Sequence, residues 1–188
     1  SAATISGLKN NDSFTVTGYA RGTNVGTYND TLNLTPQGST QLTDYSISYT
    51  NGSVTITPAP LTITGNTTSR TYNGVAQSNT YSSSGLLGSD RISGVSGLAS
   101  GTHVNVVNGA VSAYTDSLSN ATGLGLSNYS ITYVNGGLTV TPATLTLSGL
   151  SANNKVYDST TTATLNTNGA GLSGVVNGTT VSLNSTGY

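Results

Sequence analysis

Along residues 128–149, "NYSITYVNGGLTVTPATLTLSG", apolar and polar positions alternate. Tyr129, Ile131 and Tyr133 stand two apart and share one face of an extended strand, with Ser130 and Thr132 on the other. Leu138 and Val140 then alternate with Thr139 and Thr141, and after Pro142 the pattern resumes at Leu145 and Leu147. The parity points Leu and Val inward and Thr outward. Between the two runs, Asn135-Gly136 has the residue types of a two-residue hairpin turn, whose left-handed backbone Asn and Gly tolerate. Apolar residues seldom recur at three-and-four spacing, and β-branched Thr and Val dominate, so helix is not expected. The pattern predicts an all-β fold of short strands, roughly seven per unit, as in a sandwich.

The same pattern stands earlier in the chain. Residues 44–65, "DYSISYTNGSVTITPAPLTITG", repeat it with Tyr45, Ile47, Tyr49, Asn51-Gly52 and Pro58 in the matching places, 84 residues before their counterparts. "RTYNG" at Arg70–Gly74 returns as "KVYDS" at Lys155–Ser159, 85 residues on. "GTNV" at Gly22 returns as "GTHV" at Gly101, and "YNDTL" at Tyr28 as "YTDSL" at Tyr114. Those spacings are 79 and 86, which puts a loop insertion between the two motifs in the second copy. The unit is about 85 residues, far longer than the roughly 20-residue rungs of a β-solenoid.

The repeat divides the chain into a partial unit at 1–59 without its opening strands, a complete unit at 60–143, and a partial unit at 144–188 without its closing strands. The last residues, "NGTTVSLNSTGY", match "NNDSFTVTGY" near the start, which aligns Tyr188 with Tyr19. The expectation is that flanking chain or a neighbouring copy supplies the absent strands, as in strand-complemented fibres. Pro58-Ala59-Pro60 reads as a short, stiff joint, since proline donates no N–H and holds the backbone extended.

Composition narrows the function classes. The chain has 188 residues, 34% of them hydrophobic, enough for modest cores. Charge is only 6%: five Lys and Arg against six acidic residues, all Asp. Five scattered cations form neither the basic stripe of a nucleic-acid binder nor the cluster that docks on anionic lipid. Solubility rests instead on Ser and Thr, about a third of the chain and an excess over ordinary composition. Cysteine is absent, so no disulfide framework exists, and no run reaches the apolar length of a membrane span.

Candidate chemistry is sparse. His103, the single histidine, takes the place of Asn24 in the earlier copy, and one His without Cys does not make a zinc site. Serine is abundant, but no orienting carboxylate accompanies His103 in a triad pattern. Asp12 and Asp90 share one repeat position and Asp30 and Asp116 another, which favours turn and hydrogen-bonding roles over one catalytic pair. No D-x-D-x-D-G calcium loop is present. The only lysines, Lys9 and Lys155, lie outside the complete unit, so it holds no internal Lys–Asn isopeptide bond. Tyr45, Tyr49, Tyr129 and Tyr133 belong to the inward face by parity, as core rather than sugar-stacking rings. No catalytic, cofactor-binding or metal residue is assigned, and no cofactor is expected.

The closing "NYSITYVNGGLTVTPA", the "GTNVGTY" at Gly22–Tyr28 and the "KVYDSTTTATL" at Lys155–Leu165 resemble the MBG and YDG repeat domains found in tandem in large secreted bacterial adhesins. The resemblance covers essentially the whole chain. It departs at Ser159, where the family usually has Gly, and at Asn73, where Asp is usual. The alternation and the Asn-Gly pairs point to immunoglobulin-like β-sandwich repeats, with β-grasp-like units as the alternative, and the resemblance implies no known catalytic site. The expected role is a structural stalk or fibre segment of an extracellular bacterial adhesin or biofilm-matrix protein, partnered by copies of itself or flanking repeats. The alternative is a carbohydrate-binding surface module for polysaccharide or a host surface. Neither nucleic acid nor a membrane span is expected.

Overall fold

The computed structural model describes residues 3–176 and 181. Among them the chain is all-β, with two single-turn 3-10 segments at Leu42–Asp44 and Leu126–Asn128. Four strands come first: β1 (Phe14–Thr17), β2 (Gly26–Asn29), β3 (Asn33–Pro36) and β4 (Ser53–Ile56). The next span holds β5 (Ala59–Gly65), β6 (Thr67–Thr71), β7 (Gln77–Ser78), β8 (Tyr81–Ser84), β9 (Arg91–Ser96) and β10 (Ser100–Gly101). It continues with β11 (Val106–Val107), β12 (Ala110–Val111), β13 (Tyr114–Thr115), β14 (Ser119–Leu124), β15 (Tyr129–Val134) and β16 (Gly137–Thr141). Last come β17 (Thr146–Ser148), β18 (Ser151–Ala152), β19 (Leu165–Asn166) and β20 (Gly171–Ser173). No helix among the described residues is long and apolar enough to cross a membrane.

The chain forms two compact units, one of Ser1–Pro60 with Gly125–Ser130, the other of Leu61–Leu124 with Ile131–Tyr188. In the first, β1 pairs antiparallel with β3 and β2 with β4, and side-chain burial alternates along β1, β2 and β3 as the sequence period requires. The Phe14 ring meets Tyr45 edge-on, with centroids 5.6 Å apart. Asn128 belongs to this unit by its contacts: its Oδ1 accepts the Val25 N–H at 2.9 Å, and its Nδ2 donates to Asn24 Oδ1 at 3.1 Å.

The second unit is built on two three-stranded sheets, in the orders β15-β5-β8 and β13-β16-β6. Leu61 and Ile63 of β5 are fully buried, as are Leu138 and Val140 of β16. Leu138 and Val140 pack with Ala99, and Tyr72, Val104 and Tyr114 close over that cluster. Each such side chain contributes about 1.5–3 kcal/mol by leaving water. Alternation thus placed the inward residues of β16 correctly. It carries no information on direction, however, and β16 runs parallel to β6, from Gly137↔Thr67 to Thr141↔Thr71. Pro60 fits at the start of β5 because the β8 ladder begins only at Thr62, where N–H donors are available again.

Two expectations need correction. Asn135-Gly136 and Asn51-Gly52 are not hairpin turns: β15 and β16 lie in different sheets, β4 pairs with β2, and none of these four residues has the positive φ such a turn demands. The turn chemistry is found at Asn108-Gly109 (φ 51° and 79°), which joins β11 to β12 and forms the insertion indicated by the unequal motif spacings. Leu145 and Leu147 keep the alternating pattern but are 49% and 43% exposed, with β17 paired only to β20 among the described residues.

Candidate functional site

The most densely bonded polar locus surrounds Asp116, a carboxylate 2% exposed. It follows β13, in the turn where Asp116 N donates to Gly136 O (3.1 Å) and Ser117 N to Gly97 O (2.7 Å). Its Oδ1 accepts the Ala99 N–H at 2.6 Å, and its Oδ2 accepts Asn79 Nδ2 at 2.8 Å and the Gly136 N–H at 3.1 Å. Asn79, itself 3% exposed, also donates to Asn66 O (2.6 Å) and accepts the Thr68 hydroxyl (2.9 Å). One carboxylate therefore ties together four chain segments that are far apart in sequence. Charge-assisted N–H bonds of this length are about twice as strong as neutral ones, and they offset the cost of burying the anion.

The first unit holds the same device. Asp30 Oδ1 accepts the Ala20 N–H at 2.7 Å and its Oδ2 the Gly52 N–H at 2.9 Å. Its own N–H goes to Gly52 O, and Thr31 N goes to Gly18 O. The Asn of each Asn-Gly pair serves the same site: Asn135 Oδ1 accepts the Leu118 N–H at 2.8 Å and Asn51 Oδ1 the Leu32 N–H at 3.4 Å. The Asn-Gly signal thus marks a clamp rather than a hairpin. Gly18 and Gly97 face it with φ of 82° and 81°, and a Cβ at either would overlap the carbonyl oxygen of Thr31 or Ser117.

The remaining candidates from the sequence have local roles. His103 is exposed and stacks on Tyr72 at 5.8 Å, while its backbone oxygen accepts the Tyr114 hydroxyl at 3.0 Å. Asn24 does the last for Tyr28 at 2.9 Å, so the repeat position supplies a backbone carbonyl and not a particular side chain. Asp12 accepts the Thr40 hydroxyl at 3.1 Å and the Tyr45 hydroxyl at 2.5 Å. That second bond holds the phenol proton and pushes the Tyr45 pKa above its ordinary value. Asp90 N donates to Leu87 O in a turn. Lys155 Nζ contacts Asp158 at 2.9 Å, and this partner, with the Thr160 hydroxyl and N–H, holds the Asp158 carboxyl below the usual range. Tyr129 and Tyr133 face inward in β15, whereas Tyr49 is 45% exposed.

Residues 61–139 match the family model of the MBG domain (YGX type), and residues 141–188 that of the YDG domain. From residue 61 on, the chain is of the MBG/YDG repeat type. No curated protein and no solved structure matches it. The Asp116 clamp lies wholly within the MBG match. In the YDG domain the motif turn is retained without its usual glycine. Ser159 has φ 64°, the left-handed conformation that Gly74 holds at 82° in the MBG domain, and Asp158 caps Thr160 N much as Asn73 caps Val75 N. Sequence reasoning missed Asn79 as a site residue: an isolated Asn in a Ser- and Thr-rich stretch shows no period.

Proposed function

We propose that the chain is a structural segment of an extracellular bacterial surface stalk or matrix fibre, built from MBG and YDG repeats in series, and that it turns over no substrate. MBG and YDG domains are compatible with repeat modules of extracellular proteins. The observation that carries the reading is the recurrence of one aspartate clamp in both units, with both carboxylate oxygens of Asp30 and of Asp116 engaged by N–H donors. Such a carboxylate maintains a fold. The polar, nearly uncharged surface suits repeats that meet through hydrogen bonds and apolar contacts, with little dependence on salt.

The test is electron microscopy of the parent protein together with glycan-hydrolysis assays on this chain. Thin extended particles and no released sugar are expected. A compact globule, or turnover that survives repurification, would overturn the proposal.

A further inference from the structure

The MBG match contains three Asn-Gly pairs, Asn73-Gly74, Asn108-Gly109 and Asn135-Gly136. In this dipeptide an asparagine side chain reacts most readily with its own backbone, because the following glycine has no Cβ to shield its nitrogen. That nitrogen must lose its proton, approach Cγ of the preceding Asn and have room to turn onto it. The fold treats the three pairs differently on each count.

At Asn135-Gly136 the clamp opposes every step. The Gly136 N–H is donated to Asp116 Oδ2 at 3.1 Å, so removing its proton would set two negative charges side by side. Asn135 Oδ1 accepts the Leu118 N–H at 2.8 Å, which fixes the carboxamide. The Gly136 backbone also packs so closely on Gly65 and Asn66 that a Cβ there would overlap their carbonyl oxygens.

Asn108-Gly109 meets none of these restraints. It is the two-residue turn between β11 and β12, both residues are exposed, and a Cβ on Gly109 would stand in open space. Among the described residues no hydrogen bond reaches the Asn108 carboxamide or the Gly109 N–H. The ribbon that carries the turn is short: Val106↔Val111 and Val107↔Ala110, extended by Ser112 N to Asn105 O at 2.8 Å. Val106, Val107 and Val111 are about half exposed, so little buried area resists opening of the ribbon. Asn73 stands between the two cases, exposed but with its Oδ1 held by the Val75 N–H at 3.2 Å.

We propose that Asn108 is a site of spontaneous deamidation and that the Asp116 clamp withholds the same reaction from Asn135. Solvent base removes the Gly109 N–H proton, and the nitrogen's electron pair forms a bond to Asn108 Cγ. The Cγ–Nδ2 bond breaks, and Nδ2 takes a proton from water and leaves as ammonia. Water then opens the cyclic imide. Cleavage between the nitrogen and Cγ gives Asp, and cleavage between the nitrogen and the backbone carbonyl carbon gives isoaspartate. Either product puts a carboxylate into residues 92–115, a stretch without Asp, Glu, Lys or Arg. Isoaspartate also lengthens the backbone within a turn that has room for two ordinary residues. No enzyme takes part, so the extent of conversion records the age of the molecule.

The test is to incubate the whole chain, folded and in urea, in heavy-oxygen water at mildly alkaline pH and to read the label at each Asn by tandem mass spectrometry. In the folded chain Asn108 should react first of the three, about 100-fold or more ahead of Asn135, and in urea the two should come within about threefold of each other. The local sequences are the same in both samples, so the difference in the folded chain belongs to the fold. A folded chain in which Asn135 keeps pace with Asn108, or in which Asn108 is not the first to react, overturns the proposal. So does a rate ratio that urea leaves unchanged.

Discussion

Asp30 and Asp116 stand at the same repeat position and make the same backbone bonds, yet one is partly exposed and the other almost wholly buried. The difference lies in what surrounds them. Asp116 accepts a third donor, Asn79, from the segment just after β7, and that Asn is held in turn by Thr68 and Asn66. Asp30 has two donors among the described residues, and the position matching Asn79 lies outside them. The Asp and Asn-Gly turns are thus the part of the clamp that both units share, and Asn79 adds a third donor to it in the second.

The largest expected effect is in the closed clamp. Asp116→Ala takes the acceptor from one Asn79 amide hydrogen and from the Ala99 and Gly136 N–H groups inside the unit and should cost about 3–5 kcal/mol. Asp30→Ala, whose donors reach water more easily, should cost about 1–2 kcal/mol. Urea unfolding followed by tyrosine fluorescence measures both, and equal losses would break the comparison. Asn79→Ala isolates the closing step at about 2 kcal/mol, and in the Asp116→Ala background it should cost much less, because the pair shares its bonds.

Smaller effects concern the flanks. Ser159→Gly should stabilise the YDG turn by about 0.5–1 kcal/mol, since Ser159 bears a left-handed φ that Gly74 adopts freely. Gly74→Ser should lose a comparable amount, and thermal melts of the two variants should shift in opposite directions. Last is pH. The Asp12 bond raises the Tyr45 pKa above 10.0, so the folded state favours the neutral phenol. The stability this contributes is complete below pH 10 and is lost as pH rises through the raised value. Absorbance titration should show one tyrosine ionising late, and Asp12→Asn should bring it back toward the others.

Much of the fold was legible because period-two alternation states directly which side chains share a face, as Leu138 and Val140 demonstrate. Repeat arithmetic located the insertion that became β11 and β12. Alternation does not encode strand direction, so the parallel β6–β16 ladder was invisible. Nor does it encode how deeply a residue is buried, and Leu145 and Leu147 have the pattern of core residues while 49% and 43% exposed. Asn-Gly was misread at residues 51–52 and 135–136 because two residues suited to a hairpin are equally suited to an Asn acceptor beside a donating glycine N–H. The recurring Asp was visible in sequence. Its burial was not, because burial depends on donors from three other segments of the chain.

The parallel ladder has a consequence under tension. β6 lies near the start of the MBG repeat and β16 at its end, side by side and pointing the same way over five paired positions. Pulling the repeat from its two ends drags these strands in opposite directions along their length, in shear. The ladder bonds then share the load and must fail together, whereas an antiparallel hairpin pulled from its two ends peels open one bond at a time. A repeat loaded in this way should hold until the ladder fails and then yield in one discrete step.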